Sequence, residues 1–412
     1  MKIAGSILLV LFGSISIFMA SCNPIAPAII ATNTPIASNN ELPTSVVSPS
    51  PKPTSTKPPA ITPTIPPLST LPSNGNGPGL IVTLGEAIYP PRHGGIPAFS
   101  PDGRIIALAS SKISFWNVET HQLVREIKYP DAADCCIVHA NFSPDGKFFA
   151  ASMINRQDGK NVLGHLMVWE METGNLLQDW DQEYAKMPGP GGADYSIPVH
   201  AFAFIPGTTN IVFATGNTLE TRDIFQNEKF DVLKLGSKMY ATQISLSSDS
   251  RLVYIIMSWE KDHDWPSNWT HQHKFQVWNI KSHAMLREVK YPEGWVNLSL
   301  RLLGTHLVQV DIENSKSQIT NLETDEVKDI PYRQGWRFYN ADGSLMIYAR
   351  IFGFDANEQG IELWKTDNWK NIYKFALDTG VDEIIFNPDS TILAIANNEQ
   401  VSLWNIAPFV QP

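Results

Sequence analysis

Between Ser258 and His273 the chain concentrates the side chains best suited to chemistry: Trp259, Asp262, His263, Asp264, Trp265, Trp269, His271 and His273. Imidazoles and carboxylates are ligands for borderline divalent cations, and His271 and His273, two apart, would share one side of a strand. Together with Asp262, His263 and Asp264 they are candidate ligands, but no recognised ligand spacing is met. The reading therefore assigns no metal and no cofactor. The tryptophans offer something different. With Tyr291, Trp295, Tyr332, Arg333 and Trp336 downstream, Trp259, Trp265 and Trp269 supply the amphipathic rings and guanidinium that dominate binding energy at protein interfaces. Such rings beside Asp and His also suit the faces of sugars. Catalysis has less to draw on. There is no nucleophile elbow, no phosphate-cradling glycine loop and no zinc-type cysteine spacing. After Cys22 the thiols are Cys135 and Cys136, adjacent, either two ordinary thiols in a loop or a strained and labile disulfide.

The elements that must hold these residues repeat. Ala98-Phe99-Ser100-Pro101-Asp102-Gly103-Arg104 returns as Asn141-Phe142-Ser143-Pro144-Asp145-Gly146-Lys147, each followed by an apolar run. Proline fixes φ at the second turn position, aspartate tolerates the third and glycine closes it, so each copy reads as a hairpin turn between two strands. Weaker copies stand at Phe204–Gly207, Leu246–Ser250, Tyr339–Gly343 and Phe386–Ser390, with a degraded one at Leu300–Thr305, making seven units. Their spacing of roughly 40 to 60 residues suits a propeller blade with loop insertions. A third strand ending in tryptophan follows most turns, at Trp116, Trp169, Trp278, Trp364 and Trp404, and then a polar turn and a fourth strand such as Leu123–Ile127.

Ser-Pro-Asp-Gly turns followed by Trp-Asn strands resemble the WD40-repeat family over about Leu80 to Ile406. The resemblance implies an all-β, seven-bladed β-propeller with four-stranded blades, and the sequence shows no amphipathic helical stretch of convincing length. The final unit lacks a fourth strand, while Leu80–Leu84 precedes the first hairpin, so the N-terminal strand is expected to close the last blade. Arg222 and Thr320 stand where tryptophan is expected in the third and fifth units. The family's Gly-His pair and third-strand aspartates are largely missing, which shifts the expected support of the blades to apolar packing.

Ahead of the propeller, Lys2 precedes an apolar stretch to Met19 and then Ala20-Ser21-Cys22. A basic start, a short apolar core and small residues describe a secretory signal over 1–21. Cysteine after Ala-Ser resembles the bacterial lipobox, which implies lipidation of Cys22. Residues 22–78 are rich in Pro, Thr and Ser, too polar to offset chain entropy by burial, and read as an extended stalk. The propeller is expected at 79–407 with a tail at 408–412.

That head carries 28 Lys and Arg against 40 Asp and Glu, which disfavours nucleic acid and anionic lipid as its partners. In this architecture the loops joining second to third strands, and fourth strands to the next blade, emerge at one end. The sequence-specific aromatics of units four to six belong to those loops. The expected function is a non-catalytic scaffold, held by its Cys22 lipid to the outer side of a bacterial membrane, binding a protein partner. A carbohydrate-binding or glycan-acting propeller is the alternative, and a metal-dependent hydrolase or lactonase comes behind it.

Overall fold

A strand covered on both faces needs an unbroken apolar run, and the second strand of each unit supplies one. Leu345–Ala349 and Ile392–Ala396 are buried at every position, and Ile105–Ala109 at four of five. These runs sit inside seven four-stranded antiparallel sheets, six of them ordered along the chain, arranged as a seven-bladed propeller in the computed structural model. The structure describes residues 79–84, 96–110, 112–128, 135–155, 163–182, 185–188, 194–197, 201–215, 218–226, 229–235, 240–261, 270–291, 298–311, 316–330, 336–349, 361–375, 381, 383–397 and 400–410. The chain divides into two units, 1–70 and 71–412, and all the described residues belong to the second. Calls on Cys22, the signal and the stalk lie outside them.

Core material is distributed by seam. Seven apolar clusters fill the seven boundaries between neighbouring blades. Between blades one and two, Phe115 meets Phe149 edge to face at 5.1 Å, and both rings are fully buried. Each such ring contributes about 1.5–3 kcal/mol through burial alone. The last blade is completed by Gly79–Leu84, which pairs with Val401–Asn405 as expected.

The repeated turns act alike because their side chains do the same work. The Ser100 hydroxyl donates to Asp102 Oδ1 at 2.6 Å and accepts from the Ile105 amide at 2.9 Å. Ser143 with Asp145 and Ser247 with Asp249 reproduce this. In blades six and seven asparagine takes the serine's place, its Oδ1 accepting from Leu345 and Ile392 amides at 2.8 Å. The fourth turn position is left-handed in blades one, two, four, six and seven, with φ 72° at Gly103 and 58° at Ser250, whereas in blade three the third position, Gly207, is left-handed. Blade five departs: its first two strands pair down to Leu303 and His306, leaving only Gly304 and Thr305 as the turn.

Register aligns the tryptophans. Trp116, Trp169, Trp278, Trp364 and Trp404 each face the second residue of the second strand, and Arg222 and Thr320 occupy the same place. Two residues earlier stands an acceptor for the indole N–H: Ser114 Oγ, Gln276 Oε1, Glu362 Oε2 or Ser402 Oγ, at 2.9–3.1 Å. Blade three keeps the device with other atoms. Arg222 donates through Nη2 to Glu220 Oε2 at 2.7 Å, both side chains buried, and its Cζ lies 5.4 Å from the rings of Trp180 and Phe213.

Fourth strands tie each blade to the next. From one register position, Arg125 donates to the carbonyls of Met171 and Glu172, Gln178 to that of Ile224, and Arg287 pairs with Asp325 at 2.7 Å. The end of the chain joins this outer support. Ala407–Val410 is a short helix whose Phe409 ring lies 4.8 Å from Tyr373.

Three segments differ from expectation. Ser258 to His273 is not all loop: the second and third strands of blade four run on as a ladder through Trp259–Gln272, Glu260–His271 and Lys261–Thr270. The long connection after blade two contains a two-stranded hairpin, Ala185–Pro188 with Asp194–Ile197. Cys135 and Cys136 open the first strand of blade two, opposite Asn155 and Ile154, instead of lying in a loop. Alternating or mixed polar sequence with glycine and proline conceals strands that pair outside a covered sheet.

Candidate functional site

The two ends of the ring differ in how they are made. At the turn end, side chains are consumed by their own turns: Asn117 Oδ1 accepts from the amides of Glu119 and Thr120, and Asn321 Oδ1 does the same for Glu323 and Thr324. The connections of unequal length, to which the sequence assigns most of the candidate aromatics, fall largely outside the described residues. Trp265, Trp269, Trp295, Tyr332 and Arg333 lie outside the described residues, as do Asp262, His263 and Asp264. Trp259 is placed on the second strand of blade four opposite Gln272, and Trp336 opens the first strand of blade six opposite Ala349.

Tyr291 is described fully. It is buried in the seam between blades four and five, and its hydroxyl donates to Gln309 Oε1 at 3.3 Å. Burial pushes that phenol up to about 12, against the opposing charge of Arg287. Its described role is packing. His271 and His273 stand two apart on the third strand of blade four, opposite Glu260 and Ser258, and His273 is buried. Among the described residues no group of three or more His, Cys, Asp or Glu is placed to hold a metal ion. Nor, among them, is any helix long and apolar enough to cross a membrane.

Sequence reasoning missed Arg301 and Arg337 in the wall around the axis, where the first strands of neighbouring blades meet. Most of its side chains are apolar or neutral, yet three charges fall on consecutive blades: Arg301 in Leu298–Leu303, Arg337 in Trp336–Tyr339 and Glu383 in Glu383–Phe386. Arg301 faces blade six and reaches past it. Its Nη2 donates to Glu383 Oε1 at 2.9 Å, its Nη1 to the Arg337 carbonyl at 3.4 Å, and its Cζ lies 5.2 Å from the Phe338 ring. The pair is about one-third exposed. Gln243 bridges blades four and five, its Oε1 accepting from the Leu302 amide at 2.7 Å. The signal was present as alternation: Leu298, Leu300 and Leu302 place Arg301 on the opposite face of its strand.

Across the axis, His139 lies half-buried on the first strand of blade two, its ring 4.6 Å from that of Phe202. Burial pulls its imidazole down to about 4, so it is neutral at ordinary pH. Ser152 faces it in register, buried, with no hydrogen-bond partner for its hydroxyl.

No family model matches the sequence, and no curated protein does. Among solved structures, 1037 chains match. One, from the crystal structure of a mitotic checkpoint complex, is similar with a TM-score of 0.53 over 89% of this chain and 99% of its own, at 12% identity. Likeness at that identity concerns the fold, which is WD40-like.

Proposed function

We propose that this chain is a lipid-anchored, extracytoplasmic WD40-like propeller that binds other proteins at a bacterial cell envelope and catalyses no reaction. The observation that carries the reading is the contrast between the ends of the ring. Turns such as Ser100–Gly103 satisfy their own hydrogen bonds, whereas residues that never repeat, Trp265, Trp269, Trp295, Tyr332, Arg333 and Trp336, fall in the sequence of three consecutive units. Aromatic rings and arginine clustered in one sector suit an interface. The similar chain comes from a protein complex, which favours a protein as the partner. Lys2, the apolar run to Met19 and Ala20-Ser21-Cys22 support the anchor, and the Pro/Thr/Ser tract supports a stalk.

Cross-linking and pull-down from membranes, comparing the wild-type chain with one carrying Trp265→Ala, Trp269→Ala, Trp295→Ala and Trp336→Ala, tests the sector. Loss of a partner from the variant alone, with the same melting curve, supports it. Identical partners remove recognition from these loops, and a tryptophan fluorescence change on adding glycans in place of any protein partner transfers the sector to carbohydrate. Cys22→Ser is expected to move the chain from the membrane to the soluble fraction. A variant that stays membrane-bound sinks the anchor.

A further inference from the structure

The charged wall between blades five and seven is more than a strut. Among the described first strands, every Lys, Arg, Asp and Glu is one of Arg301, Arg337 and Glu383, so this stretch of the axis carries two guanidinium groups against one carboxylate. That local balance is opposite to the head as a whole, in which acidic side chains outnumber basic ones. Arg337 and Tyr339 lie on the side of their strand that faces blade five, Arg301 crosses that strand at the Arg337 carbonyl to reach Glu383, and the fields of both guanidinium groups reach the Tyr339 phenol.

Tyr339 supplies an independent sign. It is 8% exposed, and its hydroxyl is buried with no hydrogen-bond partner. A buried hydroxyl without a partner is costly to stability, an arrangement that persists where something else satisfies it. Burial raises this phenol to about 12, with the positive fields of Arg337 and then Arg301 acting the other way. The hydroxyl is thus a neutral donor next to two cations. A donor and two guanidinium groups suit an oxyanion, which accepts in bidentate fashion from a planar fork. Glu383 already occupies one edge of Arg301 as such an acceptor would.

We propose that the axial wall formed by Arg301, Arg337 and Tyr339 binds a compact oxyanion, a carboxylate or phosphate group, in competition with Glu383. Arg301 exchanges its Glu383 partner for the ligand, Arg337 adds charge, and Tyr339 donates its orphaned hydrogen. No bond is made or broken in the ligand. The proposal goes beyond partner binding at the loops and stands or falls separately from it.

Isothermal titration of the full chain in detergent with acetate and with inorganic phosphate, at constant ionic strength, reads the site directly. Saturable binding of one or both is expected, and which anion binds identifies the group. Arg301→Gln and Arg337→Gln should each weaken it about tenfold. Glu383→Gln should strengthen it about tenfold by freeing Arg301. Tyr339→Phe should weaken it severalfold and raise the unliganded melting temperature, because the buried hydroxyl costs stability and has no bond to lose. Absence of saturable binding in both the wild type and Glu383→Gln overturns the proposal. So does an affinity that is the same in Arg301→Gln and Glu383→Gln.

Discussion

Third strands and first strands of the same blades follow different rules. A third strand offers the same place seven times and fills it with a limited chemistry: an indole in five blades, four of them with an acceptor two residues back, a guanidinium with a carboxylate in blade three, and Thr320 in blade five. A first strand offers an equally regular backbone and fills it differently in each blade, with His139, Gln243, Arg301, Arg337 and Glu383 each occurring once. The difference separates what the ring requires from what this chain has chosen. A position fixed by packing on both sides tolerates few solutions, while one that borders the axis is free to vary and to carry specificity.

The sharpest way to break that contrast is at Glu220. Its carboxylate and Arg222 are both nearly inaccessible, and removing one member of a buried pair leaves an uncompensated charge. Glu220→Ala is expected to destabilise the propeller by about 3–5 kcal/mol, read as a fall in denaturant midpoint. The rings of Trp180 and Phe213 beside the guanidinium soften the loss toward the lower figure. A cost below about 1 kcal/mol would mean that the third-strand place is not a packing requirement in blade three. On the first-strand side, Glu383→Gln breaks a pair of similar length whose members are about one-third exposed, and screening should hold its cost under about 1 kcal/mol. Equal costs at the two sites would erase the distinction.

How much of this was legible follows the same division. Ser-Pro-Asp-Gly and Trp announced the frame because they recur, and the recurrence was strong enough to locate Arg222 and Thr320 as replacements and Leu80–Leu84 as the closing strand. Nothing that occurs once had such help. Arg301 and Arg337 were passed over because a single charge in a short apolar strand has no partner in the sequence, and the ion pair joins residues 82 apart. The sequence hints at a strand only at His271 and His273, and the ladder that pairs Ser258–Lys261 with Thr270–His273 stays hidden because its polar and aromatic residues lack the apolar alternation of a half-buried strand. For the candidate aromatics, composition marks the residues, and only register places Trp259 and Trp336 on strands.

Within the frame, the turn offers a smaller test. Ser250 stands at φ 58° where Gly103 and Gly146 stand at 72° and 71°, a region in which a Cβ is strained. Ser250→Gly relieves the strain but loosens the unfolded chain, so a net gain of about 0.5 kcal/mol is expected. Thermal unfolding of the pair measures it. A loss in place of a gain would show that the serine hydroxyl, not the backbone, decides this turn.

The smallest effect appears only in a pH window. His139 is held by burial at about 4 in the folded state, against an unfolded value of 6.5. Above 6.5 neither state is charged and the residue contributes nothing to pH dependence. As pH falls from 6.5 toward 4, the unfolded chain takes up a proton that the folded wall refuses, so stability declines across that interval. His306, also lowered by burial, adds its own share. The turn carboxylates Asp145, Asp249 and Asp342 lie below their ordinary range and titrate beneath the window. His139→Gln should therefore flatten the melting temperature between pH 6.5 and 4 relative to the wild type, and leave the steeper acid limb in place. An unchanged slope would mean that His139 protonates freely in the folded ring, and that this side of the axis is open to solvent like the Arg301–Glu383 side.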